Sequence, residues 1–193
     1  MNHVPRDGDV TYVARFLAPE EAARAFAVLR EGLAWAQPQI LLFGRRVPSP
    51  RLEAWYGDPG ACYAYSGLAH DPLPWTPLLC ALRDRIAEST GSAYNSVLAN
   101  LYRDGSDSNG WHADDERELG PEPVIASLSL GAARRFLLRH RADRSLRREL
   151  VLEPGSLLVM RGRTQQCWHH AVPKTRSVHE PRINLTFRSV AVR

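Results

Sequence analysis

Lysine is almost missing from this chain of 193 residues: Lys174 is the single lysine beside 24 arginines. The net charge is nevertheless only +4, which is too small to indicate a nucleic-acid partner by itself. A GC-rich genome would explain the preference for arginine. A functional explanation would be phosphate recognition, because the planar guanidinium group suits bidentate contacts.

Cysteine and long apolar runs are also scarce. Cys62, Cys80 and Cys167 are odd in number and lack CxxC spacing, which argues against a disulfide framework or a zinc knuckle. No apolar run approaches the roughly 18 residues that a membrane span needs. The first ten residues are polar and carry both charge signs, unlike a secretion signal. We therefore expect a cytoplasmic protein, and we expect it to be a monomer.

Helical periodicity is confined to the first half of the chain. It predicts one helix over residues 19–36 and a second from about residue 76 to residue 89. Short strands are expected at residues 39–43 and 61–66. From residue 94 onward, glycines separate short extended segments. These predict strands near residues 94–102, 111–114, 124–130, 134–139, 148–152, 156–160, 167–172 and 183–190.

Many short strands at this spacing favour a β-sandwich or a barrel. The expected fold class is therefore mainly β with flanking helices, or α+β. The length suits one domain with a full hydrophobic core, over residues 1–193. Within it, about residues 1–92 would hold the helices and short hairpins, and about residues 93–193 the β-core.

Residues 112–116 form the densest cluster of side chains that bind metals. Side chains alternate along a strand, so His112 and Asp114 share one face, and Glu116 joins them if the strand stays regular. Asp115 would point away and orient a neighbour such as an arginine. A His-x-Asp pair with a distant histidine is the facial triad of non-haem Fe(II) oxygenases. Zinc is a rival, although its sites more often use cysteine or three histidines. Candidates for the third ligand are His140, His169, His170 and His179.

Polar residues also alternate with apolar ones in the last predicted strand. Arg182, Asn184, Thr186 and Arg188 share one face, and Ile183, Leu185 and Phe187 share the other. The polar face is either the solvated side of an antiparallel sheet or a barrel interior that holds an anion. Two arginines with hydrogen-bonding neighbours would suit a small dicarboxylate. In an earlier strand, Asn100 and Tyr102 share a face, and Tyr102 either adds a hydroxyl to the anion site or packs in the core.

Six motifs occur together between about residues 40 and 190. They are Asn100-Leu101-Tyr102, Gly105-Ser106-Asp107, His112-Ala113-Asp114-Asp115-Glu116, Ile125-Ala126-Ser127-Leu128-Ser129-Leu130-Gly131, Trp168-His169-His170-Ala171-Val172-Pro173 and Pro181-Arg182-Ile183-Asn184-Leu185-Thr186-Phe187-Arg188. In order and spacing, this set resembles the AlkB family of Fe(II)- and 2-oxoglutarate-dependent dioxygenases. The combination of Asn-x-Tyr, His-x-Asp and Arg-x-Asn-x-Thr-x-Arg is highly specific.

The resemblance implies a double-stranded β-helix, or jelly roll, with the N-terminal helices packed outside it. It implies Fe(II), 2-oxoglutarate and O2 as cofactor and co-substrates, and it selects His170 as the third iron ligand beside His112 and Asp114. Arg182, assisted by Tyr102, would pair with the distal carboxylate of 2-oxoglutarate. Asn100 and Arg188 would serve the end nearer the metal, and Asn184 and Thr186 would support them.

The likeness is strongest to the subgroup that repairs alkylated bases in DNA. It implies oxidative dealkylation of bases such as 1-methyladenine and 3-methylcytosine, in which 2-oxoglutarate decarboxylation is coupled to methyl hydroxylation and aldehyde release. Tyr63 and Tyr65 would flank a flipped base, and Glu116 would touch its edge. A nucleotide-recognition hairpin would place Phe43 as an apolar finger. Arg45, Arg46 and Arg51 would lie near phosphates.

Other functions stay open beside this one. The same iron centre could act on RNA, a protein or a small molecule. A jelly-roll module without catalysis is a second alternative, although the intact His112, Asp114 and His170 set argues against it. A zinc hydrolase with Glu116 as its base is a third, but it gives the arginine pair Arg182 and Arg188 no clear role. The expected partner is alkylated DNA, single- or double-stranded, with RNA as a possibility.

Overall fold

The computed structural model describes residues 1–42, 44–61, 63–65 and 68–192, and for Leu42, Tyr63–Tyr65 and Leu68–His70 it describes the backbone alone. Two antiparallel sheets form its centre. The large sheet contains, in spatial order, β1 (Asp9–Val13), β12 (Leu157–Arg161), β9 (Ile125–Gly131), β14 (Arg182–Arg188), β7 (Ser96–Tyr102) and β4 (Leu52–Gly57). The small sheet contains β11 (Arg147–Leu152), β10 (Arg134–His140), β13 (Trp168–Val172) and β8 (Asn109–His112).

Two short hairpins and a few helices complete the described chain. The hairpins are β2 (Gln39–Leu42) with β3 (Arg45–Pro48), and β5 (Tyr63–Tyr65) with β6 (Leu68–His70). The helices are α1 (Pro19–Gly32), α2 (Pro77–Thr90), the short α3 (Thr164–Cys167) and a 3-10 turn (Arg117–Leu119). None of the helices in the described residues is both long enough and apolar enough to span a membrane.

Local chemistry marks the start of both long helices and the end of α2. Proline occupies the first turn of α1 and of α2, where a missing N–H costs nothing. The Thr76 hydroxyl caps α2 by accepting a hydrogen bond from Leu79 N, and Gly91 ends the helix with φ at 66°. Helix α1 ends at Gly32, earlier than the predicted residue 36, because Leu33 adopts an extended backbone and packs into the core.

The core has two layers, one on each face of the large sheet. The outer layer joins α1 and α2 to that sheet through residues such as Leu29, Leu79 and Leu185. The inner layer lies between the two sheets and includes Ile125, Phe136 and Trp168. This is the arrangement of a double-stranded β-helix with helices outside it, so the predicted fold is confirmed.

The structure differs from the sequence analysis at both edges of the large sheet. Strands β1 and β4 come from the N-terminal half, so the β-core is not confined to the residues after about 93. In the small sheet, β8 ends at His112, two residues before the predicted end at residue 114. These edge strands are short and partly exposed, and they take their strand form from pairing with β12, β7 and β13.

Candidate active site

Three metal-binding side chains meet at the edge strand of the small sheet. His112 on β8 lies directly opposite His170 on β13, and their ring centroids are 4.2 Å apart. Asp114 follows β8 by two residues, and its Oδ1 lies 3.8 Å from His112 Nε2. One ligand atom from each of the three residues lies within 4.8 Å of the others. This group can therefore hold one metal ion.

Asp114 reaches the group by a different route from the predicted one. Because β8 has already ended, strand alternation does not place its carboxylate. The backbone instead is fixed by Asp114 N, which donates to Gln165 Oε1 at 3.0 Å. The carboxylate is fixed by Arg188, whose Nη2 donates to Asp114 Oδ1 at 3.1 Å. Burial opposes ionisation of the Asp114 carboxyl, but the positive charge and hydrogen bond of Arg188 help to lower its pKa below the usual value.

Each imidazole can offer one ring nitrogen to a metal. His112 Nδ1 lies 2.8 Å from the Gly110 carbonyl oxygen, which can only accept, so this contact uses a proton on Nδ1, and Nε2 is the nitrogen on the side of Asp114. Burial, reinforced by the nearby His112, lowers the pKa of His170 to about 3. His170 is therefore neutral near pH 7, and its ring stacks on Phe136 with centroids 5.3 Å apart.

The other candidate histidines lie elsewhere. His169 takes the opposite face of β13 from His170. His140 is buried against Trp168, and its Nδ1 accepts from Asp143 N at 3.0 Å. His179 is exposed in the segment before β14. The structure thus brings His170 and not the others to His112 and Asp114.

A row of polar side chains crosses the large sheet on the face that looks toward this group. Glu53 on β4 is in register with Asn100 on β7, Asn100 with Asn184 on β14, and Asn184 with Ser129 on β9. All but Glu53 are buried, as are Arg182, Thr186 and Arg188 of β14. The polar face of β14 is therefore the interior of the fold and not a solvated surface.

Arg182 has the properties of an anion site in this interior. Its side chain is 1% exposed, and its Nη2 donates to Ser129 Oγ and Asn184 Oδ1, each at 2.8 Å. Its Nε and Nη1 are buried and have no hydrogen-bond partner of good geometry among the described residues. Burial lowers the pKa of Arg182 to about 10, so the group is charged at pH 7. A carboxylate is the ligand that such a buried, unsatisfied guanidinium fits.

The other predicted co-substrate residues surround Arg182. The guanidinium carbon of Arg182 lies 5.2 Å from the ring centroid of Tyr102. Asn184 Nδ2 donates to Thr186 Oγ1 at 2.6 Å, and its Oδ1 also accepts from Ser127 Oγ. Asn100 lies one strand away and accepts from Arg51. Their contacts with 2-oxoglutarate remain predictions.

Arg51 differs from its prediction as a phosphate contact. It is buried, with 7% of the residue exposed. Arg51 Nε donates to Asn100 Oδ1 at 2.7 Å, and Nη2 lies 2.9 Å from Glu53 Oε1. Arg51 thus orients a cavity residue, whereas Arg45 and Arg46 are exposed on the β2–β3 hairpin.

The remaining predicted contacts have mixed outcomes. Glu116 lines the same cavity as the metal-binding group. Asp115 pairs with Arg141 at 2.8 Å, which agrees with its predicted role of orienting an arginine. Phe43 lies outside the described residues, and so do the side chains of Tyr63 and Tyr65.

One cavity of about 190 Å³ joins the metal-binding group to Arg182. Sequence reasoning missed several residues that form or support it: Arg51, Phe136, Ser127, Ser129, Gln165 and Arg134. The alternation of Ser127 and Ser129 in β9 was the one local signal available for them. The others depend on contacts between segments far apart in sequence.

A jelly roll whose two sheets enclose a His-Asp-His group and a buried arginine for an anion defines the class of Fe(II)-dependent oxygenases. The chain belongs to the 2OG-Fe(II) oxygenase superfamily, whose pattern matches residues 9–188. It is therefore an enzyme that uses Fe(II), 2-oxoglutarate and O2. The donor set fits this assignment: two imidazoles and one carboxylate for Fe(II), and the unsatisfied Arg182 for a carboxylate.

Relatives named for DNA repair chemistry cover most of the chain. DNA oxidative demethylase ALKBH2 of Mus musculus is 43% identical over 180 residues, which are 88% of this chain and 75% of the relative. The Homo sapiens protein of that name is 41% identical over 97% of this chain and 76% of its own length. Alpha-ketoglutarate-dependent dioxygenase alkB homolog 3 of Bos taurus is 43% identical over 91% of this chain and 64% of its own length.

A solved structure agrees on the fold. OsALKBH1 superposes with a TM-score of 0.62 over 93% of this chain and 97% of that chain. The sequence identity of the two is 19%, so the likeness concerns the fold alone.

Proposed function

We propose that this enzyme removes alkyl groups oxidatively from damaged bases in DNA, such as 1-methyladenine and 3-methylcytosine. The observation that carries the proposal is the cavity shared by His112, Asp114, His170, Arg182 and Glu116, because it places the metal-binding group beside a buried cation for the co-substrate and a carboxylate for the substrate. The ALKBH2 relatives are named as DNA oxidative demethylases, and this supports DNA as the polymer.

Some residues of this chain would bind the metal and the co-substrate, and others would orient those residues. His112, Asp114 and His170 would hold Fe(II), and Arg188 would keep the Asp114 carboxylate ionised and oriented. Fe(II) held there would supply, with 2-oxoglutarate and O2, the oxidising chemistry that hydroxylation of an N-alkyl carbon and release of an aldehyde require. Arg182 would bind the distal carboxylate, with Tyr102, Asn184 and Thr186 beside it.

The substrate base would enter from the side of Glu116. Its carboxylate is suited to the positive charge that methylation places on adenine N1 or cytosine N3. We assign Tyr63 and Tyr65 to the faces of the flipped base, on the basis of the sequence resemblance. The β2–β3 hairpin presents Arg45 and Arg46 together with Leu41, which is 70% exposed, and this supports its use as a nucleic-acid contact. A monomer in the cytoplasm is part of the same proposal.

The test offers methylated single-stranded DNA, duplex DNA and RNA to the enzyme with Fe(II) and 2-oxoglutarate, and measures aldehyde release. We expect release from the DNA substrates and a loss of at least about 100-fold in Asp114→Ala and in Arg182→Ala. Arg135→Ala is the matched control, because Arg135 is exposed and pairs with Glu149 on the outer side of the small sheet. This control should retain activity within about two-fold.

Two results would count against the proposal. Aldehyde release that survives both Asp114→Ala and Arg182→Ala would contradict the site assignment. Succinate formation without repair of any methylated oligonucleotide would contradict nucleobases as the substrate and favour a protein or a small molecule.

A further inference from the structure

Two guanidinium groups, not one, lie over the ring of Tyr102. The guanidinium carbon of Arg182 is 5.2 Å from the ring centroid, and that of Arg134 is 5.5 Å away. Both distances are within the range of cation–π attraction. Arg134 was not among the predicted site residues, yet it is only 2% exposed. It is the first residue of β10.

Arg134 is fixed by the protein backbone and not by a side-chain anion. Its Nη1 donates to Asp104 O at 3.0 Å, and its Nη2 donates to Asp107 O and Pro173 O, each at 2.8 Å. The first two carbonyls belong to the loop between β7 and β8, and the third follows β13. This anchorage holds the charge of Arg134 in place whether or not an anion occupies the cavity.

The pair of arginines is costly without an anion. Like charges that share a buried region repel each other, and each also loses hydration. Arg182 is the member with unsatisfied nitrogens, so a bound carboxylate would relieve the repulsion at Arg182 and leave Arg134 undisturbed. Both arginines contact the ring of Tyr102.

We propose that Arg134 is a positioning residue of the co-substrate site. Arg134 holds the ring of Tyr102 in place, so that the Tyr102 hydroxyl and Arg182 together bind a carboxylate of 2-oxoglutarate. This inference rests on the proposed assignment of Arg182 and Tyr102 to the co-substrate. Arg134 itself does not touch 2-oxoglutarate. It acts on affinity for the co-substrate and leaves the metal ligands alone.

The first experiment measures 2-oxoglutarate binding calorimetrically, without oxygen, to the full chain loaded with Mn(II). Arg134→Met should raise the dissociation constant about 3- to 30-fold, because it removes a buried cation from the Tyr102 ring. Affinity for Mn(II) should stay within about three-fold, since no metal ligand is altered. Arg103→Met is the matched control: Arg103 binds the Asp107 carboxylate on the same loop, and its loss should change 2-oxoglutarate affinity less than two-fold.

A double-mutant cycle tests whether Arg134 acts through the Tyr102 ring or by holding the loop between β7 and β8 in place. If Arg134 acts through the ring, Arg134→Met combined with Tyr102→Leu should bind 2-oxoglutarate no more weakly than Tyr102→Leu alone. Additive losses would overturn the inference, and so would a loss of Mn(II) affinity as large as the loss of 2-oxoglutarate affinity. If Arg134→Met does not fold by circular dichroism, Arg134→Gln, which also removes the cation, takes its place in the cycle.

The same measurements distinguish this inference from the proposed function. Normal 2-oxoglutarate binding by Arg182→Ala would remove the proposed co-substrate site altogether. Weak binding by Arg182→Ala with normal binding by Arg134→Met would leave that site in place and overturn only the role of Arg134.

Discussion

At the scale of single residues, Asp114 depends on its neighbours more than either histidine does. His112 and His170 are placed by the pairing of β8 with β13. Asp114 lies after the end of β8, and Gln165 supplies the hydrogen bond that a strand partner would otherwise supply. Gln165 is itself buried, and its Nε2 lies 3.4 Å from Met160 Sδ. The amide of one buried glutamine therefore fixes the backbone of Asp114, and Arg188 fixes its carboxylate.

This dependence predicts the effect of Gln165→Leu. Leucine has a similar volume but cannot accept from Asp114 N, so the Asp114 backbone loses its anchor. Partners of this kind typically contribute about 10- to 100-fold to metal affinity, and we expect a loss in that range for Mn(II), measured by calorimetry on the metal-free protein. Gln166→Leu is the control, because the Gln166 amide reaches the Pro121 carbonyl and not Asp114. Equal losses in the two variants would show that Gln165 has no special role.

At the scale of elements, the loop after β7 and the segment after β13 pack as one unit. Gly105 N donates to Val178 O at 2.8 Å, and Thr175 N donates to Gly105 O at 2.8 Å. A Cβ atom at position 105 would press on the carbonyl oxygen of Thr175 and lie 2.8 Å from that of Val178. The close approach of the two backbones therefore requires glycine, although its φ is not in the left-handed region.

Gly105→Ala should accordingly destabilise the protein, whereas Gly110→Ala should not. Overpacking against backbone costs about 1–3 kcal/mol, or roughly 2–12 °C in melting temperature for a chain of this size. At Gly110 a Cβ would meet nothing within 4 Å. Calorimetric melting of the two variants without metal measures the difference. A melting temperature of Gly105→Ala equal to that of Gly110→Ala would contradict the packing of these two segments.

The elements also show which parts of the fold sequence patterns can predict. Strands in the second half of the chain lie within about two residues of their predicted bounds, because alternation and glycine turns are local signals. Strands β1 and β4 were not predicted, and they pair with β12 and β7. The same holds for the site. His112, Asp114 and Arg182 lie in recognisable motifs, whereas Arg134, Gln165 and the inward turn of Arg51 result from contacts that only the folded chain creates.

At the scale of the whole molecule, the site joins the two sheets. His112 and His170 belong to the small sheet, and Arg182 and Arg188 belong to the large one. The contact of Arg188 with Asp114 is a direct link between the two sides, and it buries opposite charges. A metal ion on the three ligands would neutralise part of the charge and bind the native state alone, so it should stabilise the complete fold and not just the site.

Metal binding should therefore raise the melting temperature of the entire protein. At a metal concentration about 100 times the dissociation constant, a ligand of the native state contributes about 2.7 kcal/mol, or roughly 5–11 °C for a chain of this size. The measurement is a thermal melt of the wild type with a chelator and with Mn(II), without oxygen. Asp114→Ala should lose the increase, and Arg135→Ala should keep it, since Arg135 is exposed and pairs with Glu149. An increase that persists in Asp114→Ala would show that Mn(II) binds somewhere other than His112, Asp114 and His170.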